Sequence, residues 1–140
     1  MDQIAPGLFV GSIEAAADAD RQEAAGITTV CKLTHALPTG GYPDDVSLVD
    51  APMMDGPRND PAAFRRAVEA VVAALDARET VLVHCSRGSS RSPAVAAAAL
   101  AVRRDCSVET ALAEVQKSRA QADPHPALVR RAEDALDALG

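Results

Sequence analysis

Thr80-Val81-Leu82-Val83-His84 is a run of apolar and β-branched residues that ends directly on Cys85. A loop of small residues then leads into an Ala/Val-rich stretch from Arg91. A strand apolar on both sides must be covered on both faces. In a water-soluble protein that places it inside a mostly parallel sheet with helices above and below. Ligands of such sheets bind at the carboxyl ends of the strands, which is where Cys85 falls.

The rest of the chain predicts the elements this sheet needs. Leu8 to Ser12 and Val46 to Ala51 read as short strands, and Ile27 to Leu33 as a buried one. Ile13 to Ala25 reads as one Ala-rich helix. Asp60 is a good helix cap with Pro61 in the first helical position, opening a helix to about Ala77. Further helices are predicted for Arg91 to Arg104, for Val108 to Ser118 behind a Ser107 cap, and from Pro126 to Leu139. The expected fold class is α/β: one domain spanning residues 1–140, with a mostly parallel central sheet of four to five strands and helices on both faces. At 48% hydrophobic residues the chain can bury one core. Phe9, Phe64 and Tyr42 are its only aromatic residues, so Ala, Val, Leu and Ile must fill the interior.

The loop after the central strand carries chemistry. Ser86, Gly88, Ser89 and Ser90 are small, and Gly88 lets the backbone turn so that its N–H groups face inward. Arg91 can grip two oxygens of a phosphate at once, which lysine cannot reproduce. The helix that follows adds the positive end of its dipole. The same groups favour the thiolate of Cys85. The string therefore places a sulfur nucleophile beneath a phosphate cradle, with residues 86 to 91 as the phosphate-binding set. His84 is expected to support the thiolate. Arg87 is either a solvated charge or a source of positive potential at the rim.

His84-Cys85-Ser86-Arg87-Gly88-Ser89-Ser90-Arg91-Ser92 resembles the signature loop of the cysteine-dependent protein tyrosine phosphatases, and its compact setting resembles their dual-specificity branch. Ile4 to Ser12 is similar to that branch's opening strand and Gly26 to Val30 to its second. The resemblance implies a phosphomonoester hydrolase working through a phosphocysteine on Cys85. Arg91 would bind the transferring phosphoryl group and Ser92 would stabilise the departing thiolate. It also implies a general acid on an upstream loop. Asp55, in Met53-Met54-Asp55-Gly56-Pro57, is the favoured candidate and Asp50, at a strand end, its rival. No metal and no cofactor are required. Pro124-His125-Pro126 departs from a family segment that usually carries Asn and Phe, and few aromatics are available to wall a phenyl ring. Tyr42 is the one tyrosine that could do so.

Other features set limits. A net charge of −6 argues against nucleic-acid binding. No apolar run reaches the roughly 20 residues of a membrane span, and no secretory signal is expected at the N-terminus. Three widely spaced cysteines do not form a disulfide framework and fit a reducing cytoplasm. Cys31 is expected in the core and Cys106 at a helix boundary. The pairs Arg65-Arg66, Arg103-Arg104 and Arg130-Arg131 are expected on solvated helix faces. The partner is a phosphorylated protein or a small phosphomonoester, and the chain is expected to be monomeric. Two alternatives compete with a protein phosphatase: a non-enzymatic phosphate-binding module, and a phosphatase of a lipid, nucleotide or RNA end. Sulfur transfer or arsenate reduction is a further rival, disfavoured because the cysteine loop lies late in the chain.

Overall fold

The computed structural model describes residues 1–140. Five strands form one sheet in the order β1-β2-β5-β3-β4: Asp2–Ala5, Leu8–Gly11, Val81–His84, Thr29–Lys32 and Ser47–Asp50. Only the β1–β2 pair is antiparallel. All four residues of β5 are buried, as its unbroken apolar run demands. Gly11 and Lys32 both stand in register with His84, so the carboxyl ends of β2 and β3 finish level with the nucleophile.

Helices α3 (Pro61–Asp76), α4 (Arg91–Arg104), α5 (Val108–Ser118) and α6 (Pro126–Leu139) cover one face. Residues Ser92 to Ala101 of α4 are all buried. Their small side chains let α3, α5 and α6 pack closely around α4, and a core of Ala, Val and Leu replaces the missing aromatics. The other face carries a smaller cluster, Ala16, Ile27, Val30 and Leu82, covered by short helices α1 (Ile13–Ala16) and α2 (Ala19–Ala25) and by Tyr42 and Val46.

The capped helices start where the sequence places them. Asp60 accepts from the Ala62 N–H, Ser107 from the Thr110 N–H, and Pro61 and Pro126 open their helices. Two expectations need correction. The single helix over residues 13–25 breaks in two because the Asp18 carboxylate accepts the Arg21 N–H and caps a new helix. The opening strand is a hairpin: β1 adds an edge strand before Leu8, a segment whose Asp-Gln-Ile-Ala composition gives little β signal.

Candidate active site

Cys85 is buried at the floor of a cavity of about 220 Å³ lined by Asp55, Ser86, Arg87, Ser89, Ser90 and Arg91. None of the backbone N–H groups of residues 86 to 91 donates to a protein acceptor. Their orientation follows from where the loop's carbonyls go, because in a trans peptide the N–H points opposite to the C=O of the same plane. The Cys85 carbonyl faces His84 Nδ1 at 3.4 Å. The Ser86 carbonyl accepts the Ile13 N–H at 3.0 Å, and the Ser89 carbonyl the Asp123 N–H at 2.7 Å. Arg119 donates from Nη2 to the Arg87 carbonyl at 3.0 Å and from Nε to the Gly88 carbonyl at 2.7 Å. The Ser90 carbonyl accepts the Ala94 N–H at 3.1 Å, inside the first turn of α4. Six successive carbonyls are thus held from outside the loop, and the six N–H groups that follow them are turned towards the cavity. Such a nest attracts an anion.

Gly88 sits at φ +68°, where an L side chain is strained, and a Cβ there would lie 2.5 Å from Arg119 Nη2 and 2.7 Å from the Gly11 carbonyl oxygen. This is the tightest approach in the loop and the reason a glycine stands there.

Arg91 opens α4 and turns its guanidinium across the cavity. Nη1 donates to the Met53 carbonyl at 3.1 Å and Nη2 to Ser86 Oγ at 3.0 Å. These contacts fix the plane of the fork. Ser92 Oγ, fully buried, lies 3.2 Å from the Cys85 sulfur. The Ser90 side chain occupies the cap position of α4 yet makes no cap bond. Its hydroxyl instead donates to Asp55 Oδ1 at 2.7 Å and accepts the His125 N–H at 2.9 Å. The first N–H groups of α4 are thereby left open towards the cavity.

Asp55 reaches the rim from the loop between β4 and α3. Its Oδ1 also accepts the Gly56 N–H at 2.9 Å. Asn59 Nδ2 donates to the Met54 carbonyl within this loop, and Arg131 of α6 donates to the Asn59 carbonyl and ties the loop to that helix. Asp50 is elsewhere. It ends β4 and pairs with the buried Lys32 at 2.9 Å, outside the cavity.

The structure thus gathers Cys85, the loop residues 86 to 91, Ser92 and Asp55, with His84 behind them. His84 is fully buried, and burial holds it down to about 4, aided by Lys32 and Arg91 and opposed by the hydrogen bond to the Cys85 carbonyl; its imidazole is neutral at pH 7. Arg87 is exposed at the cavity edge. Cys31 lies in the core, where burial raises its thiol to about 12, and the half-buried Cys106 precedes α5. Two expectations fail. Tyr42 does not wall the cavity: its hydroxyl lies 2.7 Å from His84 Nε2, on the far side of the sheet. The paired arginines are not all solvated: Arg131 is half-buried and holds the Asn59 carbonyl.

Sequence reasoning missed Arg119. It is 4% exposed, ion-paired to Asp2 of β1 at 2.8 Å, and holds two loop carbonyls. Its one visible sign is an arginine at the end of an amphipathic helix, which is ordinary. Only the tertiary fold brings it under Gly88.

Residues 8–132 match the family model described as the dual specificity phosphatase catalytic domain. The chain is 33% identical to human dual specificity phosphatase 28, over 97% of this chain and 79% of that protein. It is 30% identical to Arabidopsis thaliana dual specificity protein phosphatase 1B, over 92% of this chain and 77% of that protein. The crystal structure of human DUSP28 superposes with a TM-score of 0.89 at 31% identity, covering 99% of this chain and 97% of that one. A mouse dual specificity phosphatase crystallised with zinc tungstate superposes with a TM-score of 0.88 at 28% identity, covering 99% and 87%.

Proposed function

The chain belongs to the dual-specificity phosphatase family, and from that membership we propose that it hydrolyses phosphomonoesters through Cys85, with Asp55 as general acid and then general base. One observation carries the assignment: six peptide N–H groups without protein acceptors surround a cavity floored by a cysteine sulfur, and a tethered carboxylate stands at its rim.

The chemistry follows in two displacements. The Cys85 thiolate attacks phosphorus in line, forming the S–P bond as the ester P–O bond breaks. Asp55 delivers its proton to the departing oxygen, so that a poor leaving group need not depart as an anion. Charge on the equatorial oxygens meets the loop N–H groups and the Arg91 fork, already oriented before substrate arrives. In the second step Asp55, now ionised, takes a proton from water, whose oxygen attacks phosphorus as the S–P bond breaks. Ser92 Oγ donates to the returning thiolate. The mouse relative's structure contains tungstate, a tetrahedral oxyanion of the shape this cradle suits.

The substrate is a phosphorylated protein or a small phosphomonoester. No aromatic side chain lines the cavity, so recognition rests on the phosphoryl group and the rim. No helix is long and apolar enough to cross a membrane. The three free cysteines suit a reducing compartment, and we place the chain in the cytoplasm as a monomer.

The test is a series of aryl phosphates of graded leaving-group quality, assayed without metal. Cys85→Ser should abolish turnover. Asp55→Ala should cost about 10²- to 10⁴-fold for poor leaving groups and far less for good ones. Undiminished hydrolysis by Cys85→Ser would rule out the mechanism, and equal losses across the series would remove Asp55 from its role.

A further inference from the structure

Of the arginine and aspartate side chains that line the cavity, only Arg87 bonds to nothing in the protein. Asp55 is tied to Ser90 and Gly56, and Arg91 to Met53 and Ser86. The Arg87 carbonyl is held by Arg119, so its backbone is fixed while its side chain stands exposed at the cavity edge. A phosphoryl group already meets six loop N–H groups and the Arg91 fork. Arg87 is left for a second anion. It lies towards β2 and β1: the adjoining Ser86 carbonyl accepts from Ile13, just after β2, and Arg119 pairs with Asp2 of β1.

The other side of the mouth is apolar. Leu37, Leu48 and Met54 are the exposed large hydrophobic residues of the chain, and all fall between the end of β3 and the acid loop. Met54 is 46% exposed and adjoins Asp55 at the rim. It leaves the carboxyl end of β4, where the Met53 N–H donates to the Leu33 carbonyl at 3.0 Å. In the sheet β4 is two strands from β5, about 10 Å, which about three residues of extended chain would span.

We propose that the mouth is polarised to read a phosphorylated peptide. An anionic side chain on one flank of the phosphorylated residue meets the Arg87 guanidinium, and an apolar side chain about three positions away on the other flank meets Met54. This rests on residues 86 to 91 being the phosphate cradle and names the substrate class of that site. A peptide is the phosphomonoester that carries an anionic and an apolar group on opposite sides of its ester. A net charge of −6 turns the protein away from an anionic lipid surface.

The test is calorimetric titration of Cys85→Ser, which keeps the loop backbone, so turnover is not needed. The probes are phosphopeptides with alanine on both flanks, with glutamate on one flank and leucine on the other in both orders, and with glutamate and leucine together on one flank. One of the two polarised peptides should bind tighter than the alanine peptide by about fivefold for each flank. Added salt should weaken only the acidic preference. In the same background, Arg87→Glu should reverse the acidic preference and keep the apolar one, and Met54→Gln should remove the apolar preference and keep the acidic one. Each preference is a ratio of two peptides on one protein, so any change in the cradle common to both cancels. Thermal melts confirm that each variant is folded. No gain for either polarised peptide, tighter binding of the peptide with both groups on one flank, or equal shifts of both preferences in the two variants would overturn the proposal. So would an inositol bisphosphate that binds more tightly than the polarised peptides. Failure to bind inorganic phosphate would overturn the cradle itself, and the proposal with it.

Discussion

Gly88→Ala separates two costs that usually arrive together. The backbone at Gly88 has φ +68° and at Gly26 has φ +74°, so alanine meets comparable torsional strain at both. That strain costs about 1–2 kcal/mol. The surroundings differ. Nothing lies within 4 Å of a Cβ built on Gly26, whereas at Gly88 it would meet Arg119 Nη2 at 2.5 Å, the Gly11 oxygen at 2.7 Å and the Gly11 carbonyl carbon at 2.8 Å. Gly11 is strand backbone and cannot yield cheaply. Arg119 is buried and bonded to Asp2 and to the Arg87 and Gly88 carbonyls, so displacing it breaks charge-assisted hydrogen bonds. Their loss adds about 1.5–3 kcal/mol, for a total of about 2.5–5 kcal/mol. Urea denaturation of both variants measures the difference, with unchanged m-values confirming that each transition is two-state. Gly88→Ala should also weaken inorganic phosphate binding by about tenfold or more, because two cradle carbonyls lose their brace. Gly26→Ala should bind phosphate as the wild type does. Equal stability losses in the two variants, or intact phosphate binding in Gly88→Ala, would refute the reasoning.

Two further predictions follow from the same contacts. Ser90→Ala removes the hydroxyl that tethers Asp55 and should lower kcat by about five- to tenfold, more for poor leaving groups than good ones, with KM little changed; an equal change across the series would contradict a tether to the acid. The second prediction concerns acid stability. His84 falls from its ordinary 6.5 to about 4 on folding, chiefly through burial, so the unfolded chain binds the proton more tightly. Its contribution is complete above pH 6.5 and is lost as pH falls towards 4, about 3 kcal/mol in all. His84→Asn should therefore flatten the stability profile across that window, and an unchanged slope in urea titrations would show that the ring is not held neutral.

Much of this architecture can be read from local chemistry. The central strand announces itself by an apolar run with no polar side, and three helices by Asp60-Pro61, Ser107 and Pro126, because caps are local. The cradle is legible because Cys85 to Arg91 are contiguous and their chemistry needs no distant partner to be recognised. Asp55 is legible only as one of two candidates; in the fold Asp50 pairs with Lys32, while Asp55 bonds Ser90 at the cavity rim. What stays hidden depends on pairing across the fold. Arg119 lies 34 positions after Cys85, with nothing nearby to mark it. Ser90 looks like a helix cap until Asp55 arrives to take its hydroxyl. The break at Asp18 was masked by the helical propensity of the alanines around it.

The central claim is that phosphoryl transfer passes through the sulfur of Cys85. Asp55→Ala mixed rapidly with an activated aryl phosphate, quenched and digested, measures this directly, because good leaving groups need little help from the acid while hydrolysis of the intermediate slows without the base. Mass mapping should find one phosphoryl group on the peptide carrying Cys85, formed in a burst that matches the release of the phenol. A burst of phenol with the phosphoryl group on another residue, or steady turnover with Cys85 unmodified and replaceable by serine, would contradict the account.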